Sequence, residues 1–411
     1  MNAGRYSLSI FVGILYPKAD TSGILPMAAT RPLFKRTALA ESLVRELAGE
    51  TFHDHSSGLF LAAPRRTGKS TFLKNDLIPA CEVRGWLAVY VDLWADKQTD
   101  PADLVAGAIG EALAEYESGL SKVAKKAGID KLNLLRTLSW DFTRPQLPAG
   151  TTLAKALDVL RTVSGRMIVL IIDEAQHALN SEAGLAAMFA LKAARDQLNS
   201  GEEEDGVRMV FTGSSRDKLA NLVLKNGQPF YGARVSEFPR LNRDYVEFVT
   251  ELWNGSLAAH NQFAIEDVEY AFELVGRRPE MLTALLSDTR VILGEAGNLG
   301  ELLREGALNH QQGVWSDYES ACNDLSPLQR AVLEVIAERA LRKKPFVPFS
   351  SETLEAINRK LEHAHEMPNA TKPNVQKALE LLRERELIWK ANRGEYALED
   401  SAMSDWLNRS R

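Results

Sequence analysis

Cysteine is scarce in this chain. Cys81 and Cys322 stand far apart, which excludes a disulfide framework and a cysteine-built zinc site and fits a reducing cytoplasm. The seven histidines are scattered; His53/His55 and His363/His365 lack the further partners that a metal site needs and read as solvated loop or helix-end positions. No apolar run is long enough to cross a bilayer, so no membrane partner is expected. The nearest to one, residues 6–17, is followed by no convincing small-residue cleavage site. Positive charge is not in excess either: 49 Lys and Arg stand against 55 Asp and Glu, a net charge of −6. Any contact with nucleic acid must therefore be local. There is no internal repeat and no low-complexity tract. A length of 411 residues suits two or three domains.

One stretch organises what is there. Leu59-Phe60-Leu61-Ala62 ends in a short polar loop, Ala63-Pro64-Arg65-Arg66-Thr67, followed by Gly68-Lys69-Ser70-Thr71 and the helical spacing of Phe72, Leu73 and Leu77. Strand, loop and helix in that order form a phosphate-binding loop, with Ala63 in place of the commoner glycine at its first position. Loop N–H groups and the helix N-terminus favour phosphate oxygens. Lys69 adds a charge at the β- and γ-phosphates, and the Ser70 hydroxyl is a ligand for Mg2+. The partner acid is Asp173, which ends the apolar run Met167–Ile172; it is expected to hold Mg2+ with Ser70. Glu174, one residue on, is placed to polarise an attacking water, which argues for hydrolysis over simple binding.

Weaker candidates follow. Ser214 ends the next strand and could bond a γ-phosphate or the water, or cap the following helix. Arg216 beside it reads equally as a solvent-facing charge. Arg234, ahead of the last strand, is a catalytic candidate that would reach a neighbouring subunit's γ-phosphate, with a plain surface arginine as the alternative. Arg277 and Arg278, before Pro279, either reach the phosphates from a lid or form a charged loop before a helix start.

Alternating strands and helices up to about residue 241 predict an α/β core with a parallel sheet. Its elements are expected at 58–63, 69–84, 86–95, 100–117, 120–138, up to 164, 166–173, 181–199, 207–213 and 234–241. Four helical segments follow, at 243–254, 265–275, 279–293 and 298–312. From 326 the order helix, helix, turn, helix and two short strands reads as a winged helix-turn-helix. The domains are thus read as 1–30, an extension that is disordered in the simplest case and for which Met27 is an alternative start; 31–241, the core; 242–325, a helical lid; and 326–411, the winged helix. Lys372, Asn374, Gln376, Lys377 and Arg383 on its second helix, with Lys390 and Arg393 on the wing, suggest contact with double-stranded DNA. Glu380, Glu384, Glu386 and Glu395 are interleaved with them, so a protein-binding winged helix stands beside that reading.

Residues 64–71 together with Ile171-Ile172-Asp173-Glu174-Ala175-Gln176 resemble the AAA+/STAND ATPases, in particular the archaeal-type ATPases and the origin-recognition-like AAA+ proteins. Phe34, Arg36 and Glu41 look like a loose version of that group's box before the phosphate loop. Thr212 to Ser215 stand where its sensor lies, and Gly276-Arg277-Arg278-Pro279 matches its lid motif. The resemblance implies a P-loop NTPase core with sheet order 5-1-4-3-2, ATP and Mg2+ between core and lid, ATP hydrolysis, and often oligomerisation. The longer insertion at 100–150 is where a protein partner would bind. The expected function is an ATP-driven switch acting on DNA. The alternatives are the same switch as a protein scaffold and, from a different class, a phosphate-loop kinase, against which the lid and the winged helix count.

Overall fold

The computed structural model describes residues 32–51, 57–116, 152–200, 206–224, 226–292, 298–392, 394–400 and 402–409. Lys35–Arg411 forms one compact unit. The expected extension 1–30, the helix at 120–138 and most of the 100–150 insertion fall outside the described residues, as does Arg393.

The core runs in chain order α1 Thr37–Leu47, β1 Leu59–Ala62, α2 Lys69–Phe72, a π-turn Leu73–Leu77, α3 Ile78–Val83, β2 Leu87–Asp92, α4 Pro101–Ala114, α5 Leu153–Ser164, β3 Ile168–Asp173, a 3-10 turn Ala175–Asn180, α6 Glu182–Leu198, β4 Val207–Gly213, α7 Arg216–Ala220 and β5 Val235–Glu237. All five strands are parallel, in the order β2-β3-β4-β1-β5. This is the expected 5-1-4-3-2 read from the other edge, and the fold class is the one the sequence implied.

A parallel sheet is covered on both faces, so its central strands are apolar throughout. Successive side chains then serve opposite cores. Phe60, Ile168, Leu170, Ile172 and Phe211 pack under α4, α5 and α6, with Phe60 stacked on Phe211 at 4.5 Å between ring centroids. Leu59, Leu61, Val169, Ile171 and Val210 pack under α1, α2 and α3. Each fully buried side chain of this size contributes roughly 1.5–3 kcal/mol. The two cores fix the carboxyl ends of β1, β3 and β4 on one edge, where α/β sheets bind ligands.

Several expected elements differ. The helix expected over 69–84 runs from Lys69 to Val83 with a π-helical segment, Leu73–Leu77, inside it, whose Asp76 is buried and accepts the Arg36 backbone N–H at 2.9 Å. The last strand spans Val235–Glu237 only, because the chain beyond it turns under the Arg36 guanidinium, which lies over Phe238 and donates to the Pro239 carbonyl at 2.8 Å.

The helical segment comprises α8 Arg243–Asn254, α9 Ile265–Leu274, α10 Pro279–Ile292 and α11 Leu299–Asn323. α11 is 25 residues long and runs well past the expected end at 312. The winged helix follows as α12 Pro327–Leu341, α13 Ser351–His363, α14 Lys372–Glu384, β6 Ile388–Asn392, β7 Glu395–Leu398 and an unforeseen α15 Met403–Arg409. Side-chain caps set its helix starts: Ser326 with Gln329 in a capping box, then Ser350 and Thr371. Val332, Ile336, Ile357, Leu361, Val375, Leu379 and Ile388 form its core. Among the described residues no helix is long and apolar enough to cross a membrane.

Candidate nucleotide site

The loop after β1 turns sharply. Arg66 and Gly68 both take positive φ, 66° and 86°; glycine adopts this freely, and the arginine stores strain where a ligand is expected. Lys69 is buried at 5% exposure. Its ammonium donates to the Ala63 carbonyl at 3.1 Å and lies 3.4 Å from the Glu174 carboxylate.

Asp173 is fully buried. One oxygen accepts from the Ser70 hydroxyl at 2.6 Å and from Tyr90 at 2.9 Å. The other accepts from the Thr212 hydroxyl and from the Glu174 backbone N–H at 3.1 Å. The Ser70 hydroxyl and the Asp173 carboxylate thus meet as two hard oxygen donors beside the phosphate loop, a set that fits Mg2+. Burial, then the nearby Asp173 carboxylate, pushes the Tyr90 phenol up, so it remains a donor.

Glu174 sits in the left-handed region, φ 54°, where β3 gives way to the 3-10 turn. One carboxylate oxygen accepts from Ser214 twice, from the N–H at 3.1 Å and from the hydroxyl at 2.6 Å, and also from the Gln176 amide. Burial alone would raise its pKa; Lys69 and these hydrogen bonds outweigh it and hold the group below its ordinary value, hence ionised. Gly213 allows the arrangement, since a Cβ there would stand 2.5 Å from the Gln176 amide oxygen.

A cavity of about 330 Å3 opens over Lys69, Ser70 and Glu174, with Arg65, Trp94 and Glu280 at its walls. The Arg65 guanidinium lies over the Trp94 ring at 5.0 Å, and Arg66 reaches Glu280 of α10 at 3.4 Å.

The structure brings Lys69, Ser70, Asp173, Glu174 and Ser214 together. Of the serine pair, Ser214 holds Glu174 and Ser215 caps α7 through the Lys218 N–H. The lid arginines are turned elsewhere: Arg277 donates to the Leu241 carbonyl at 3.1 Å and to Glu273, and Arg278 pairs with Asp400 at 3.3 Å. Arg234 is exposed ahead of β5 and lines neither this cavity nor its neighbour. The solvent-facing reading of Arg216 is corrected. It is buried at 7% exposure, pairs with Glu237 at 2.9 Å and lies over Trp389, because the winged helix covers it. Sequence reasoning missed Tyr90 and Gln176 as partners of the two acids.

The winged helix meets the core at α7. Asp217 accepts two bonds from the Arg383 guanidinium, at 2.8 and 2.9 Å, and one from the Lys390 backbone N–H at 3.1 Å. Arg383, one of the expected DNA-facing cations, is therefore engaged with the core. Glu399 accepts the N–H groups of Arg216 and Asp217. Lys372 and Lys377, on the other half of α14, remain exposed.

Burial raises the Glu399 carboxyl from 4.5 to about 7, despite its two backbone N–H donors. Between those values the folded chain keeps a proton that the unfolded chain loses, so stability falls as pH rises through that window. Glu399→Gln should abolish this slope. In thermal melts the variant's advantage over the parent should widen from about pH 5 to about pH 8; a constant difference would contradict the assignment.

No protein-family model matches the chain, and no curated protein matches it in sequence. Solved structures do. The ADP form of the Aeropyrum pernix ORC2 protein matches with a TM-score of 0.50 at 15% identity, covering 91% of this chain and 92% of that one. A Walker-type ATPase of Pyrococcus abyssi matches with a TM-score of 0.49 at 19% identity, covering 92% and 96%. At these identities the likeness is one of fold: the chain shares the fold of the ORC2 protein, with the parallel-sheet order that the resemblance implied.

Proposed function

We propose that the chain binds and hydrolyses ATP as an AAA+/STAND-type switch and that its winged helix carries the output. The observation that carries this is the joining of Lys69, Ser70, Asp173 and Glu174 at one cavity, with Glu174 ionised and aimed by Ser214. Residues 63–71 wrap the phosphates, and Lys69 exchanges Glu174 for phosphate oxygens. Glu174 then takes a proton from the water that attacks the γ-phosphorus as the bond to the ADP oxygen breaks. Ser70 and Asp173 would hold Mg2+, which supplies charge neutralisation on the phosphates. Residues 31–241, 242–325 and 326–411 act as core, lid and winged helix, and Arg277 or Arg278 joins the γ-phosphate when the lid closes. Arg234, exposed beside the sheet edge, serves a neighbouring copy in a homo-oligomer, and the 100–150 insertion takes a protein partner.

The output reading is DNA contact by Lys372, Asn374, Gln376, Lys377, Lys390 and Arg393. The scaffold reading is favoured by one observation: Arg383 is already taken by Asp217. Duplex binding measured against salt separates the two. Under DNA contact, affinity falls steeply with salt, and neutralising Lys372 and Lys377 lowers the log–log slope by about 2. No binding to any duplex would leave the scaffold. Nucleotide titration with a fluorescent ATP analogue tests the switch itself, since loss of binding in Lys69→Ala is expected.

A further inference from the structure

Beside the phosphate cavity lies a second one of about 420 Å3, within the usual range for a small-molecule site. It begins at the phosphate loop, with Ala63, Pro64 and Thr67, and is closed by the chain after β5, the lid and the winged helix. A nucleotide whose phosphates sit over Lys69 has this space for its nucleoside. Pro64, Phe238 and Leu241 give it an apolar side for a base.

Its polar groups are nearly all spent. Glu237 is paired with Arg216 and Arg240, Glu273 with Arg277, and Asp400 with Arg278 and Tyr318. Asp405, in the first turn of α15, is the exception: among the described residues it has no ion-pair partner. An ionised carboxylate is an acceptor only. What it can take from a nucleoside is a hydroxyl or amino donor, and a carboxylate on vicinal ribose hydroxyls is an established pairing.

We infer that Asp405 of the winged helix accepts the ribose hydroxyls of the bound nucleotide, so that the winged-helix domain forms part of the nucleotide site itself. The inference rests on the nucleotide reading above. The bland alternative is an exposed acid favourable at a helix N-terminus.

The test is a binding matrix at equilibrium: parent and Asp405→Ala, each with ATP and 2′-deoxy-ATP. The parent should prefer ATP over the deoxy form by about 10-fold, the worth of one charge-assisted hydrogen bond. Asp405→Ala should bind ATP about 10-fold more weakly and lose most of that preference. Limited proteolysis supplies a second readout: ATP should protect the segment joining lid and winged helix in the parent more than in the variant. If the parent binds ATP and the variant keeps both affinity and sugar preference, the inference is overturned while the nucleotide reading stands. Loss of affinity with the preference intact also overturns it and assigns Asp405 to the helix alone. If the parent binds neither nucleotide, the failure belongs to the nucleotide reading.

Discussion

Glu174→Gln should bind ATP and fail to turn it over. The amide keeps the size of the carboxylate and can still accept the Ser214 N–H that now reaches it at 3.1 Å. It cannot take a proton from water. Removing a general base of this kind costs about 100- to 10,000-fold in rate. Affinity should hold or rise, because Lys69 loses the carboxylate that lies 3.4 Å away and competes with phosphate for it. Single-turnover phosphate release, measured beside a nucleotide titration, separates the two quantities. Full release in the variant would remove Glu174 from the base role.

Asp217→Arg should free the winged helix from the core. The pair it breaks is bidentate and largely shielded, with Asp217 13% and Arg383 21% exposed. Bonding to Asp217 also raises the Arg383 pKa, against the effect of burial, as a committed ion pair requires. Removing one partner of such a pair costs about 3 kcal/mol, which is more than 100-fold in the docking equilibrium; here a repelling arginine is added. A fluorophore pair, one on the core and one on α13, should report separation in Asp217→Arg and in Arg383→Asp. The double exchange should restore most of the docking, less about 0.5 kcal/mol for an arginine at the start of α7. Single variants that stay docked would show that Glu399 and the Lys218–Glu386 pair carry the contact.

The legible parts of the chain were those in which one local signal decides the structure. The run Met167–Ile172 has no reading other than a buried strand, and Gly68-Lys69-Ser70 after an apolar run defines the loop. Tyr90 was illegible because a tyrosine in a strand reads as core. Its role comes from parallel register, which pairs Asp92 with Asp173 across β2 and β3. Arg216 and Arg383 were misread for a different reason. Arginine is usually exposed, and the contact that engages Arg383 joins residues 166 positions apart. α11 outran its expected end because Gly313 lies inside it, and glycine weakens a helix without ending it when packing continues. Thus the acids and the lysine of the candidate site could be named from the sequence, whereas the groups that orient them, and the winged helix that covers α7, depend on tertiary contacts.

Hydrolysis of ATP at residues 63–71 and 173–174 is measured as phosphate release from ATP by the purified chain, in parallel with Lys69→Ala. Magnesium-dependent release by the parent is expected, with loss of both binding and release in the variant. Release that persists unchanged in Lys69→Ala, or a parent that neither binds nor cleaves ATP, would contradict hydrolysis at this site.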